Sequence, residues 1–123
     1  MDLRNSVLIV DDEYIIVLGL TIQMEDIGMQ VCASAATAEE AISLAQEHRP
    51  AVVLMDMRLR GEKDGVDAAL AIHELVGSKV IFLTGSREPS TLARIGLDHA
   101  SAVLFKPASD SQLRSAIEAA RGD

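Results

Sequence analysis

Five short apolar runs, at residues 6–10, 29–34, 51–55, 79–83 and 102–105, alternate with segments of helical character near 13–26, 38–48, 65–76, 89–97 and 110–121. This alternation constrains the fold more than any other feature. The runs are of strand length, and near-continuous apolarity means that both faces of each strand are covered. Short strands separated by helices pair in parallel, with helices packed on both sides of the sheet. The 123 residues suffice for one domain with a real core. Five such units predict an α/β, flavodoxin-like (βα)5 doubly wound sandwich with a five-stranded parallel sheet of order 2-1-3-4-5. Thr37 stands three residues before Glu40, and Ser109 three before Gln112, the spacing of capping boxes. Leu113, Ala116, Ile117 and Ala120 form a one-sided stripe on the last helix. No repeat, low-complexity tract or linker interrupts the pattern, so residues 1–123 read as a single domain.

In that topology the winding reverses beside strand 1, and ligands bind beyond the carboxyl ends of strands 1 and 3. Asp11 and Asp12 follow the first apolar run, and Asp56 follows the third. Three carboxylates at one poorly solvated edge cannot all stay ionised unless a cation neutralises them. An all-oxygen set suits Mg²⁺ (or Mn²⁺), which keeps waters and often bridges to a phosphate. The pattern therefore points to phosphoryl chemistry on a metal. Two further residues fall on the same edge. Thr84 ends the expected fourth strand and leads into Gly85, and Lys106 ends the fifth and precedes Pro107. Proline cannot continue a central strand, so the chain turns there into the last helix; an X-Pro bond also admits the cis form. Singly, each residue has an ordinary reading: paired aspartates cap a helix, a threonine is a loop hydroxyl, a lysine is solvated. Their convergence on one edge outweighs those readings.

With Asp11-Asp12, Asp56, Thr84 and Lys106-Pro107 in this order, each at a strand end, the chain resembles the receiver domain of bacterial two-component response regulators over about residues 6–121. The resemblance implies that Asp56 is the phosphoacceptor. It implies Asp12 as a direct metal ligand beside Asp56, Asp11 acting mainly through water, and the backbone carbonyl of Arg58 as the third protein ligand. Thr84 would hydrogen-bond the phosphoryl oxygens and Lys106 would pair with them. The implied donor is a histidine kinase or a histidine phosphotransfer protein, and the implied output is contact with a downstream protein. Such a chain is not an enzyme in the usual sense: it catalyses only phosphorylation and dephosphorylation of its own Asp56.

The chain departs from the general receiver pattern in places. Arg60 stands where many receivers carry proline, and Val103 stands where Tyr or Phe is usual. Readout is therefore expected through the loop at 84–88 and the fourth helix, with a partner or a homodimer using the 85–121 face. Phe82-Leu83-Thr84-Gly85 is similar in part to a single-domain subgroup named for a Phe-Ala-Thr-Gly motif.

Composition narrows the remaining classes. The net charge of −8 argues against a nucleic-acid or anionic-membrane surface. Cys32, the single cysteine, forms no internal disulfide and reads as a small buried hydrophobe. No secretory h-region follows a basic stretch, and the uncharged stretch at 14–24 is too short to span a bilayer, so a cytoplasmic location is expected. His48, His73 and His99 lack metal-ligand spacing, and Met55 is expected in the core. A haloacid-dehalogenase-like phosphatase would need Asp-x-Asp after its first strand, where this chain has Asp11-Asp12-Glu13. A flavodoxin-like cofactor binder would need a phosphate-cradling loop there.

Overall fold

The computed structural model describes residues 5–57, 64–85 and 100–122, the side chains of residues 100 and 101 excepted. Five strands form one parallel sheet: β1 (Ser6–Val10), β2 (Gln30–Ala35), β3 (Val52–Asp56), β4 (Lys79–Thr84) and β5 (Ala100–Phe105). Their order is β2-β1-β3-β4-β5, as the alternation predicts. Four helices lie among the described residues: α1 (Tyr14–Asp26), α2 (Ala38–His48), α3 (Gly65–Leu75) and α4 (Asp110–Arg121). The helix expected near 89–97 lies outside them.

Strand alternation sorts the core into two layers, because successive side chains point to opposite faces. Leu8, Val10, Val53, Met55, Val80 and Phe82 face α2 and α3. Val7, Ile9, Val52, Leu54, Ile81 and Leu83 face α1 and α4. The stripe Leu113, Ala116, Ile117 and Ala120 is buried in the second layer. Helix α2 meets the sheet through Ala38, Ala41 and Ala45, side chains small enough for close approach.

Local chemistry sets the helix starts. Ser109 and Gln112 exchange both bonds of a capping box. Thr37 caps α2 by accepting from the Glu40 N–H, while the Glu40 carboxylate reaches one residue further back, to the Ala36 N–H at 2.8 Å. A second full box, Asp64 with Asp67, opens α3. Edge strand β2 carries an irregularity: Val7 pairs with Val31 but Leu8 with Ala33, leaving Cys32 as the extra residue. The Cys32 thiol is half-buried and donates to the Val7 carbonyl. Burial pushes its pKa up, against the lowering effect of nearby backbone hydrogen bonds.

Candidate functional site

All five side-chain positions singled out in the sequence lie at the carboxyl edge of the sheet. Asp11 and Asp12 follow β1 directly, Asp56 is the last residue of β3, Thr84 the last of β4, and Lys106 follows β5. The strands are in parallel register, with Val10 beside Met55 and Asp56 beside Leu83, so their ends bring the side chains together without any special loop. Arg58 lies outside the described residues.

The backbone fastens this edge. The Asp11 N–H donates to the Ala35 carbonyl at 3.0 Å, and the Lys106 N–H donates to the Thr84 carbonyl at 2.9 Å. Asp11 is buried, and both its carboxylate oxygens are engaged: Oδ1 accepts from the Glu13 N–H at 2.9 Å and Oδ2 from Lys106 Nζ at 2.9 Å. The bond to Glu13 closes a turn ahead of α1, whose N-cap Glu13 has no side-chain cap bond, so Asp11 does not cap the helix. Lys106 Nζ also lies 3.3 Å from Asp56 Oδ1. Asp12 is half-exposed, whereas Asp56 and Thr84 are buried.

Asp11, Asp12 and Asp56 each offer an oxygen within 4.8 Å of the others. Among the described residues, one ammonium, Lys106 Nζ, faces the three carboxylates in a partly desolvated place. Burial acts to lower the Lys106 pKa, but the hydrogen bond to Asp11 and the charges of Asp56 and Asp11 outweigh it and hold the pKa above its ordinary value. The lysine is therefore a fixed positive charge at neutral pH. Three hard carboxylate oxygens grouped together, with Asp12 partly open to water, fit a small divalent cation such as Mg²⁺.

Residue types alone did not disclose the part of Gly65. A methyl group built on it would fall on the Asp56 carbonyl oxygen, close also to the Met55 side chain. The Gly65 N–H donates to the Met57 carbonyl at 3.0 Å. The absence of a side chain thus lets the first turn of α3 close directly over the backbone of Asp56. The only sequence signal is that Asp64-Gly65 stands where a helix begins, and that signal reports a cap and not a close approach.

A different kind of surface adjoins the site. Helix α1 exposes Tyr14 and Ile15, each 76% accessible, together with Leu18 and Ile22. A groove of about 390 Å³ separates α1 from the segment at 106–108, with Ile15 and Gly19 on one side and Lys106 and Pro107 on the other. The Lys106–Pro107 peptide bond is cis. Among the described residues, no helix is long and apolar enough to cross a membrane.

The geometry agrees with what known proteins of this kind look like. Residues 7–118 match the family model described as the response regulator receiver domain. The chain is 34% identical over 116 residues to the transcriptional regulatory protein PdtaR of Mycobacterium tuberculosis, a match covering 94% of this chain and 56% of that protein. It is 32% identical over 117 residues to the response regulator GacA of Pseudomonas aeruginosa, covering 91% of this chain and 53% of the other. The chain thus spans about half the length of these curated relatives. Among solved structures, the signal receiver domain of a modulated diguanylate cyclase from Desulfovibrio desulfuricans G20 superposes with a TM-score of 0.90 at 32% identity, covering 95% of this chain and 93% of that one. The N-terminal domain of a response regulator/sensory box/GGDEF 3-domain protein from Carboxydothermus hydrogenoformans gives 0.84 at 30%, covering 95% and 94%. A sheet of order 2-1-3-4-5, with its acidic residues at one edge and a family match over nearly its whole length, places this chain in the response regulator receiver family of two-component signalling.

Proposed function

We propose that this receiver accepts a phosphoryl group on Asp56 from the phosphohistidine of a histidine kinase or phosphotransfer protein, with Mg²⁺ bound, and passes the signal on through protein contacts. The observation that carries this reading is the meeting of Asp11, Asp12 and Asp56 with Lys106 Nζ at the carboxyl edge. In the transfer, an Asp56 carboxylate oxygen attacks phosphorus and the P–N bond to the donor imidazole breaks. The bonding electron pair stays on that nitrogen, which takes up a proton, and an acyl phosphate forms on Asp56. Phosphoryl transfer needs alignment and charge neutralisation more than covalent assistance. Mg²⁺, when bound, supplies that neutralisation and a template for the phosphoryl oxygens. Asp12 and Asp56 would hold the ion directly, and Asp11 through water; the Arg58 carbonyl is the fourth contributor in this reading. Lys106, already against Asp56, covers a phosphoryl oxygen as a point charge. The Thr84 hydroxyl takes another and carries the change of state into the segment that follows it.

The apolar face of α1 supports a protein as the donor. Exposed apolar side chains grouped beside a polar site mark a contact surface, and Ile15, Leu18 and Ile22 recur at helical spacing next to the groove that Lys106 borders. The test is incubation with acetyl phosphate and Mg²⁺, followed by mass spectrometry of the modified peptide. The wild type is expected to gain one phosphoryl group on Asp56. Asp56→Asn and the EDTA-treated protein are expected to gain none. An adduct that persists in Asp56→Asn refutes the assignment.

A further inference from the structure

We infer that Gln23 is a positioning residue for Lys106, acting through the segment that joins β5 to α4. The inference rests on the reading of Asp56 as phosphoacceptor and Lys106 as its phosphoryl partner. Lys106 sits at the head of a very short connection. Upstream, its N–H is bound to the Thr84 carbonyl. Downstream, Ser109 is already the cap of α4. Only Pro107 and Ala108 lie between, and proline has no N–H with which to anchor itself. On its outer side this connection borders the groove of about 390 Å³, while Ala108 is partly packed against the layer between the sheet, α1 and α4.

Gln23 supplies the missing restraint from another element. Its Nε2 donates to the Ala108 carbonyl at 3.0 Å and to Asp110 Oδ1 at 2.9 Å, across 85 and 87 residues of sequence. Both hydrogens of one amide nitrogen are therefore used, one on the connection and one on the first turn of α4. The amide orientation follows from its partners. Turned over, the Gln23 oxygen would face a carbonyl and a carboxylate, neither of which can donate. The tie fixes Ala108, two residues from Lys106, to the body of α1, which is itself packed on the sheet through Leu20 and Met24. Without it, the connection has more room to move toward the groove, and the separation of Lys106 Nζ from Asp11 and Asp56, now 2.9 and 3.3 Å, is held less closely. The three carboxylates sit at the ends of β1 and β3, outside this segment, and moving the Lys106 charge away from two of them is not expected to weaken cation binding.

The experiment compares wild type, Gln23→Met, Lys106→Ala and the double variant. Methionine keeps the length and the groove wall while removing both donors. Phosphorylation of Asp56 by acetyl phosphate is followed by mass spectrometry, and Mg²⁺ affinity is measured by calorimetry on the same proteins. Because a small misplacement of a charge-neutralising group slows transfer steeply, Gln23→Met is expected to be slower by about 3–10-fold. Its Mg²⁺ affinity is expected to equal or exceed that of wild type. In the Lys106→Ala background the Gln23 substitution is expected to slow the reaction no further, since residues acting through one group are not additive. A Gln23→Met rate equal to wild type, an equal slowing in both backgrounds, or a loss of Mg²⁺ affinity overturns the inference. If wild-type Asp56 takes no phosphoryl group, the parent reading falls and takes this one with it. If the wild type is modified and Gln23→Met behaves identically, this inference alone is refuted.

Discussion

Asp12 and Lys106 act in opposite senses on one charge balance. Lys106 relieves the repulsion among the carboxylates and is in contact with two of them. Asp12 adds to the repulsion, with an oxygen within 4.8 Å of those of Asp11 and Asp56. In metal-free protein, Asp12→Ala is therefore expected to raise stability by about 1–2 kcal/mol, a gain of several degrees in Tm. The same substitution is expected to abolish Mg²⁺ binding and so the further stabilisation that added Mg²⁺ gives the wild type. Thermal unfolding with and without Mg²⁺ checks both halves. An Asp12→Ala protein that is less stable without metal yet still stabilised by Mg²⁺ would assign the residue a structural part. Residue types at strand ends made this site readable before the fold was seen. The bond of Asp11 to Lys106, 95 residues away, was not readable, because it does not follow from spacing along the chain, whereas its bond to Glu13, two residues on, is a local turn contact.

Element boundaries were largely local matters. Helices α2 and α4 begin and end where their caps and periodicity place them. Strands β3 and β4 each run one residue further than their apolar runs, ending on Asp56 and Thr84, because a parallel ladder pairs backbone regardless of side-chain polarity. The glycines separate local from tertiary constraint. Gly19 lies inside α1 with nothing within 4 Å of an added Cβ, so Gly19→Ala is expected to stabilise by about 0.5–1 kcal/mol through helix propensity alone. Gly65 opens α3 against the Asp56 carbonyl. Gly65→Ala must displace α3 or the end of β3 and is expected to cost about 1–3 kcal/mol. Urea unfolding of the two single variants gives the comparison. Equal effects at the two sites would refute the close-approach argument. Joining both changes in one chain offsets part of the stability loss, so a slowing of Asp56 modification by acetyl phosphate that remains there reports displacement of the proposed phosphoacceptor.

At the scale of the whole molecule, the described surface puts an apolar face and an acidic site side by side. The expected working face over 85–121 falls partly outside the described set, at residues 86–99, whereas Tyr14, Ile15, Leu18 and Ile22 on α1 are on view. A protein donor that seats on this face loses it when a charge is placed there, while a small donor is indifferent. Leu18→Lys is thus expected to slow phosphotransfer from a cognate protein donor by about tenfold or more, with the acetyl phosphate reaction unchanged. Equal effects on the two donors, or none on either, would move the contact surface away from α1. Phosphorylation-linked hydrogen exchange over 85–118 tests the separate expectation that output leaves by that segment.

By itself, the sequence determined the fold class, the strand order and the candidate residues at the carboxyl edge. Those follow from short-range regularities: apolar runs of strand length, helical stripes, caps, and polar residues placed where runs stop. Tertiary structure alone decided which oxygen of Asp11 meets Lys106, that Gly65 must carry no side chain against Asp56, and that Gln23 binds the segment after Lys106. It also decided which side of α1 is left bare. That helix is apolar nearly all round, so its composition offers no polar face to identify as the outer one. Its orientation is set by the two-layer packing on the sheet, a long-range property that buries Leu20 and Met24 and leaves Ile15, Leu18 and Ile22 to solvent.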